Sequence, residues 1–376
     1  MIKSIWVDNF KSLVDFRMEL AKFNCVVGLN GAGKSTLLQA LDFVSQLMAG
    51  DIDEWLKNRH WESSDLNSKL TRKSNIDFEI ELDVENKSVI WTGSFNRSSL
   101  SCTKERIIED GVNILSVEDS AYTFDGHKHE IVFDYQGSLL SRLKDNQQGN
   151  TLRAVKELIL NIRSLDLISP EMLRSQTRSA GGKLGLGGEK LSAFIHESGA
   201  ETKSKLKQAL ADVYPQLDTI ATKSLRSGWK QLEITEHFGG KKLTSTARHA
   251  NDGMLRLMAI LLQLEIGRAF LLFDEIENGI NPELIEYLID HLVNSKDQVL
   301  VTTHSPMILN FMEDDIARLG VHYLYKTGAG FTRAIKLFDI PSIAKKLNFM
   351  GPGEAFIDTD LTQLYKEIGD MPAAEA

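Results

Sequence analysis

Gly28-Leu29-Asn30-Gly31-Ala32-Gly33-Lys34-Ser35-Thr36 decides how the rest of the chain is read. Two glycines four residues apart are followed by Lys and Ser, the spacing of a phosphate-binding P-loop. The apolar run 25–27 precedes it. Leu37, Leu38, Leu41, Val44, Leu47 and Met48 follow at three- and four-residue spacing, so the order is strand, loop, helix. In that order the glycines let backbone N–H groups curl around an anion, with a helix N-terminus behind them. Gly28, Asn30, Gly31, Ala32, Gly33, Lys34, Ser35 and Thr36 are the expected nucleotide contacts. Lys34 supplies a cation for the outer phosphates, and the Ser35 hydroxyl a ligand for Mg2+.

Two further strand ends complete such a site. The apolar run 270–273 stops at Asp274 and Glu275, the Walker B pattern. Asp274 is expected to hold Mg2+ through water, and Glu275 to orient and deprotonate an attacking water. The apolar run 299–301 stops at Thr302, Thr303 and His304, where a histidine can hydrogen-bond the terminal phosphate. Lys34, Glu275 and His304 are thus the catalytic candidates, and ATP hydrolysis with Mg2+ is the expected reaction.

Composition bounds what else is possible. The 376 residues are 42% hydrophobic and 25% charged, ordinary for a globular protein, with a formal charge of -9. No global basic field draws such a chain to nucleic acid or to an anionic membrane. Cys25 and Cys102 cannot build a disulfide framework. Lys3 and Asp8 break any signal-like run, and Arg256, Glu265 and Arg268 interrupt the apolar stretch 255–273, so no membrane span is expected and the location is expected to be cytoplasmic.

Between the motifs, Ile76, Phe78, Ile80, Leu82 and Val84 alternate with acids, as in a strand with one wet face. Short strands continue through Phe133, and a helix is expected over 152–162. Residues 179–190 hold five glycines; a loop that orders on binding and a plain linker both fit. A helix spans Leu255, Met258, Leu261 and Leu262, and another starts at Asn281, Pro282 and Glu283. His127 and His129 have no metal-ligand spacing with other residues.

GLNGAGKST, LLFDEIENGINP (271–282) and TTHSP (302–306), with VDNFKSLVDF (7–16), resemble the ABC-type ATPase heads of the RecF/SMC/Rad50 class. The likeness is nearest to small bacterial ATPases related to the overcoming-lysogenization-defect proteins, without a Toprim domain. The resemblance implies an α/β P-loop NTPase fold of ABC-ATPase type, with a mixed central sheet, flanking antiparallel strands and an inserted, largely helical lobe. The phosphate loop and the acidic strand end, about 240 residues apart, must meet in one site, so one composite head is expected over 1–376, with 1–89 and 250–376 as nucleotide-binding core and 90–249 as the lobe. The resemblance also implies a basic residue near the nucleotide at Lys11. A signature segment at Asn251 and Gly253 would reach the nucleotide of a second subunit, a dimer-contacting D-loop would fall at 278–281, and a Mg2+-coupling glutamine at Gln136. Asn251 stands where the group usually has serine; its amide can still donate to a phosphate oxygen.

Such heads dimerise around ATP. The expected role is the sensor or scaffold subunit of a bacterial antiphage defence or toxin-like system acting with a separate effector, because about 70 residues after His304 leave little room for a nuclease domain. The alternative is a RecF-like DNA repair ATPase. DNA contact would fall to local basic clusters such as Lys203, Lys205 and Lys207, Lys223, Arg226 and Lys230, or Lys241, Lys242 and Arg248; solvated faces explain them equally well. A transporter subunit fits least, since the chain lacks an LSGGQ pattern.

Overall fold

A computed structural model describes residues 1–371 except 119, 125, 145–148, 166, 167, 266 and 268, with the side chains of 361 and 362 also left aside. Arg268 and the last five positions of the expected head therefore lie outside the described residues. Two compact units form: Met1–Arg163 with Gln298–Ala376, and Ser164–Asp297. These divisions fall at 163/164 and 297/298, whereas the expected core and lobe meet at 89/90 and 249/250.

Strand pairing explains the first division. In the first unit an eight-stranded antiparallel sheet runs in the order Phe16–Glu19, Ile2–Asp8, Asn75–Val84, Lys87–Asn96, Ser101–Glu109, Val112–Glu118, Ala121–Phe124, His127–Glu130. Successive hairpins carry it through residue 130, so chain beyond 90 joins the same sheet as the N-terminus. Along Asn75–Val84 the five alternating apolar residues are buried, as a half-wet strand requires. The described residues of 90–249, expected to be largely helical, hold more strand than helix. In their strands the apolar residues alternate over short stretches between turns, which satisfies a two-residue period and not a 3.6-residue one.

The strand Phe23–Gly28 is flanked in parallel by Gln298–Thr302 and Val321–Lys326, and the latter pairs antiparallel with Thr332–Lys336. All but Gly28 of Phe23–Gly28 is buried, the mark of a strand covered on both faces. Helix Lys34–Ala49 buries Leu37, Leu38, Leu41, Phe43, Val44, Leu47 and Met48. Each such side chain contributes about 1.5–3 kcal/mol by leaving water. Phe43 stacks on Phe10 at 5.3 Å and meets Phe95 edge-on at 5.1 Å. Asp42 on the same helix accepts from Trp55 Nε1 at 2.7 Å and Arg59 Nη2 at 2.6 Å, so its buried charge is paired.

His322, in Val321–Lys326, is 2% exposed, and its Nε2 has no hydrogen-bond partner. Burial, with a smaller push from Lys336, lowers its pKa to about 4. An unfolded histidine takes its proton near pH 6.5. The unfolded chain therefore binds more protons between pH 6.5 and 4, and the folded state loses about 3 kcal/mol as pH falls through that window. His322→Leu should remove this part of the acid loss. Urea melts of both proteins at pH 7 and 4.5 check it, and equal losses in the two would refute it.

In the second unit, Leu191–Glu197 and Ala200–Val213 pack on a three-stranded antiparallel sheet, Leu217–Ser224, Lys230–Phe238 and Lys241–Thr246. The glycine-rich stretch 179–190 is anchored: Ala180 and Leu184 are buried, and Glu197 accepts from the Ala180 N–H at 2.9 Å. Helix Asp252–Leu264 is buried from Gly253 to Gln263, and the strand Phe270–Phe273 is wholly buried. Asn281 opens a 3-10 turn, Pro282–Leu284, before helix Ile285–Val293. Cys25 and Cys102 are both buried. Among the described residues no helix is long and apolar enough to cross a membrane.

Candidate functional site

The first unit carries the phosphate loop. Gly28 ends its strand at φ 152°, and a Cβ there would overlap the Leu324 carbonyl oxygen of the neighbouring strand; only glycine lets the two backbones lie so close. Gly33, at φ 109°, is the N-cap of helix Lys34–Ala49, and no side chain caps it. The N–H groups of the first turn are left for an anion. Asn30, Gly31 and Ser35 are exposed, while Ala32 and Lys34 are buried. Ser35 thus presents its hydroxyl at the helix mouth.

Lys34 Nζ donates to the carbonyls of Gly28 at 2.8 Å and Leu29 at 3.4 Å, and lies 3.5 Å from His304 Nδ1. The sheet register explains the meeting. Thr302 pairs with Val26, so His304, two residues on, comes level with Gly28. The Thr303 hydroxyl accepts from the Ser305 N–H at 2.9 Å and fixes the turn that leaves His304 exposed. Lys11 is adjacent: its Nζ donates to Gln39 Oε1 at 2.8 Å, one turn beyond Ser35 on the helix, and sits 3.3 Å from the Trp61 ring centroid, a cation–π contact.

Sequence reasoning missed a support beneath the loop. Thr332, fully buried, donates its hydroxyl to the Ala32 carbonyl at 2.9 Å. Having one proton, it accepts from Ser12 Oγ at 2.9 Å. No motif marks a lone Thr 300 residues away in sequence. Thr332→Val keeps the shape and loses both bonds, which should cost about 1–3 kcal/mol and weaken ATP binding about tenfold as the loop loosens. Thermal melts and nucleotide titration check it; unchanged affinity would show the loop to be held otherwise.

Gln136 does not join this group. Its side chain exchanges hydrogen bonds with Asp53, from the Asp53 N–H at 3.0 Å and to Asp53 Oδ2 at 2.8 Å. The next residues are pinned to the C-terminal end of helix Lys34–Ala49, where the Ser138 N–H donates to the Leu47 carbonyl at 2.7 Å. Buried Glu105 holds them there, accepting from Leu139 N at 2.9 Å and from Ser138 Oγ. The 16-residue helix is about 24 Å long at 1.5 Å per residue, so Gln136 sits at the opposite end from Ser35. It lines a cavity of about 740 Å³ with Gly50, Asp51 and Arg142 and is removed from the metal set.

The second unit carries the acidic strand end and the signature segment. Asn251 is exposed and caps helix Asp252–Leu264, its Oδ1 accepting from the Met254 N–H at 3.2 Å. Gly253 is buried against the expected D-loop: a Cβ would come within 2.9 Å of the Gly279 carbonyl oxygen. Asp274 and Glu275 are half-buried. Glu275 has a left-handed backbone, φ 47°, and its Oε2 accepts from Asn278 Nδ2 at 3.3 Å. Arg256, unrecognised as functional from sequence, is 8% exposed and donates to the carbonyls of both acids. The available signal was a lone charge inside an apolar helix. Burial lowers its pKa, and Glu275, Glu277 and Asp274 oppose that shift.

Among the described residues no three His, Cys, Asp or Glu side chains cluster to hold a metal. Mg2+ needs no such cluster in general, since it takes one or two protein ligands and completes its shell with water and phosphate. Ser35 can be one such ligand.

The family model described as "AAA domain, putative AbiEii toxin, Type IV TA system" matches residues 23–310. The OLD nuclease of Thermus scotoductus is 33% identical over 103 residues, 27% of this chain; the match spans 18% of that protein. Among solved structures, the SmcHead bound to the C-winged helix domain of ScpA aligns over 90% of this chain and 99% of its own, at 15% identity and TM-score 0.53. The SMC head domain from Thermotoga maritima aligns over 89% and 98%, at 12% identity and TM-score 0.48.

Proposed function

The chain belongs to that AAA-domain family and is a P-loop ATPase with the fold of an ABC-type head; from this premise we propose that it binds ATP with Mg2+, dimerises around it and hydrolyses it. The carrying observation is the meeting of Lys34 and His304 at 3.5 Å over an uncapped helix N-terminus. In this reading residues 1–89 and 250–376 are the nucleotide core of a single head, with 90–249 as its lobe. Gly28, Asn30, Gly31, Ala32, Gly33 and Thr36 cradle the phosphates, and Lys11 lies beside them. Lys34 neutralises the outer phosphates, Ser35 and Asp274 hold Mg2+, Glu275 activates water, and His304 bonds the terminal phosphate. Asn251 and Gly253 reach the nucleotide of a second copy. Purified protein that releases no ADP from Mg-ATP, alone or with DNA or partner, would overturn this.

The biological role we assign is a sensor or scaffold in a cytoplasmic antiphage or toxin-like system working with an effector protein. The toxin named in the family description and the OLD nuclease relative support it. One observation favours the repair alternative. Residues 171–251 carry thirteen Lys and Arg against eight Asp and Glu in a chain of net charge -9, a local field suited to a phosphate backbone. Co-purification of a nuclease or toxin supports defence; no such partner, with turnover stimulated by DNA ends, supports repair.

A further inference from the structure

Helix Asp252–Leu264 places Arg256 among apolar side chains. Its Nη2 donates to the Asp274 carbonyl at 3.1 Å and the Glu275 carbonyl at 2.9 Å, and its Nη1 to the Ile168 carbonyl at 3.3 Å. Burying a guanidinium is costly, and among the described residues three backbone oxygens, not carboxylates, take its bonds. The two carbonyls sharing Nη2 belong to consecutive residues, which the extended backbone of a strand would direct to opposite sides. They converge because Glu275 turns into the left-handed region at φ 47°, a conformation that strains a non-glycine residue. The Arg256 bonds compensate that strain. The same short helix segment holds Asn251 as N-cap and Gly253 against Gly279, so Arg256 ties the signature segment and the acidic turn into one block.

We infer that Arg256 is a positioning residue for hydrolysis: its guanidinium clamps the Asp274–Glu275 turn, aims the Glu275 carboxylate, and couples it to the helix bearing Asn251. This rests on the reading of Glu275 as the residue that activates water. The clamp touches neither nucleotide nor water; it acts through the backbone of Glu275. Arg256→Lys keeps the charge and three N–H donors, but they sit on one nitrogen of a shorter side chain, which cannot span carbonyls that Nη1 and Nη2 now divide between them. Misaiming a catalytic group by about 1 Å costs about 10²-fold.

The test compares wild type, Arg256→Lys and Arg256→Gln in steady-state ATPase assays and in amide hydrogen exchange without nucleotide. In both variants kcat should fall about 10²-fold while KM for ATP stays within about threefold. Exchange should quicken over residues 270–280 and stay unchanged over 23–36. In a Glu275→Gln background Arg256→Lys should bring no further loss, because both changes act on one group. A folded Arg256→Lys protein with wild-type kcat, or with unchanged exchange at 270–280, overturns the clamp. If wild type itself does not hydrolyse ATP, the reading of Glu275 fails, while the exchange result still decides whether Arg256 holds the turn.

Discussion

Glu275→Gln should cut ATP turnover about 10³-fold while leaving ATP affinity close to wild type. The substitution keeps the side chain's volume and an oxygen that can accept from Asn278, 3.3 Å away in wild type. The backbone is equally untouched, since Arg256 bonds the Glu275 carbonyl. What disappears is the ability to take a proton from water. A head that closes around ATP and opens after hydrolysis then stays closed, so the variant should double its mass in Mg-ATP while wild type does so only transiently. Light scattering after gel filtration reads the mass, and a coupled assay reads the turnover. Unaltered kcat would remove Glu275 from the chemistry. A fall in kcat with no change of mass would keep the chemistry and remove the ATP-closed dimer.

The residues legible in the sequence are those whose chemistry fixes their neighbours in the chain. A phosphate loop needs its glycines, Lys34 and Ser35 in one contiguous run between a strand and a helix, and that run is where the structure puts it. The half-wet strand Asn75–Val84 was equally plain, because its period of two is written residue by residue. His304 was readable from its place at the end of a buried run, and the parallel register sets it level with Gly28.

What stayed hidden depends on pairings between distant segments. Thr332 supports Ala32 because the strand Thr332–Lys336 lies two strands from Phe23–Gly28, and no local pattern encodes that. Gln136 was a metal-coupling candidate through the resemblance, yet Glu105 and Leu47 tie its segment to the far end of the phosphate-loop helix. Short strands were legible only through Phe133; the three from Leu217 on were missed because their alternation is brief and their outer faces are polar. Arg256 was visible only as a break in an apolar stretch. A buried charge demands partners, so the break was itself a pointer to whatever backbone lay opposite.

Lys34→Met should lower affinity for ATP by about 10²–10³-fold with little loss of stability. Methionine fills much of the space of the buried lysine stem, whose residue is 5% exposed, so packing changes little. The bonds to the Gly28 and Leu29 carbonyls are lost. Leu29 is exposed and Gly28 partly so, so water can replace the donor at small cost. The phosphates have no such substitute. A charge-assisted bond contributes about 1.5–3 kcal/mol, and a lysine shared between two phosphate groups reaches about 3–4 kcal/mol, the stated fall in affinity. Titration with a fluorescent ATP analogue separates this variant from Glu275→Gln: one loses binding, the other turnover. Affinity within about threefold of wild type in a folded Lys34→Met protein would mean that the phosphates are held elsewhere, and the reading of the 28–36 loop as the nucleotide site would fall with it.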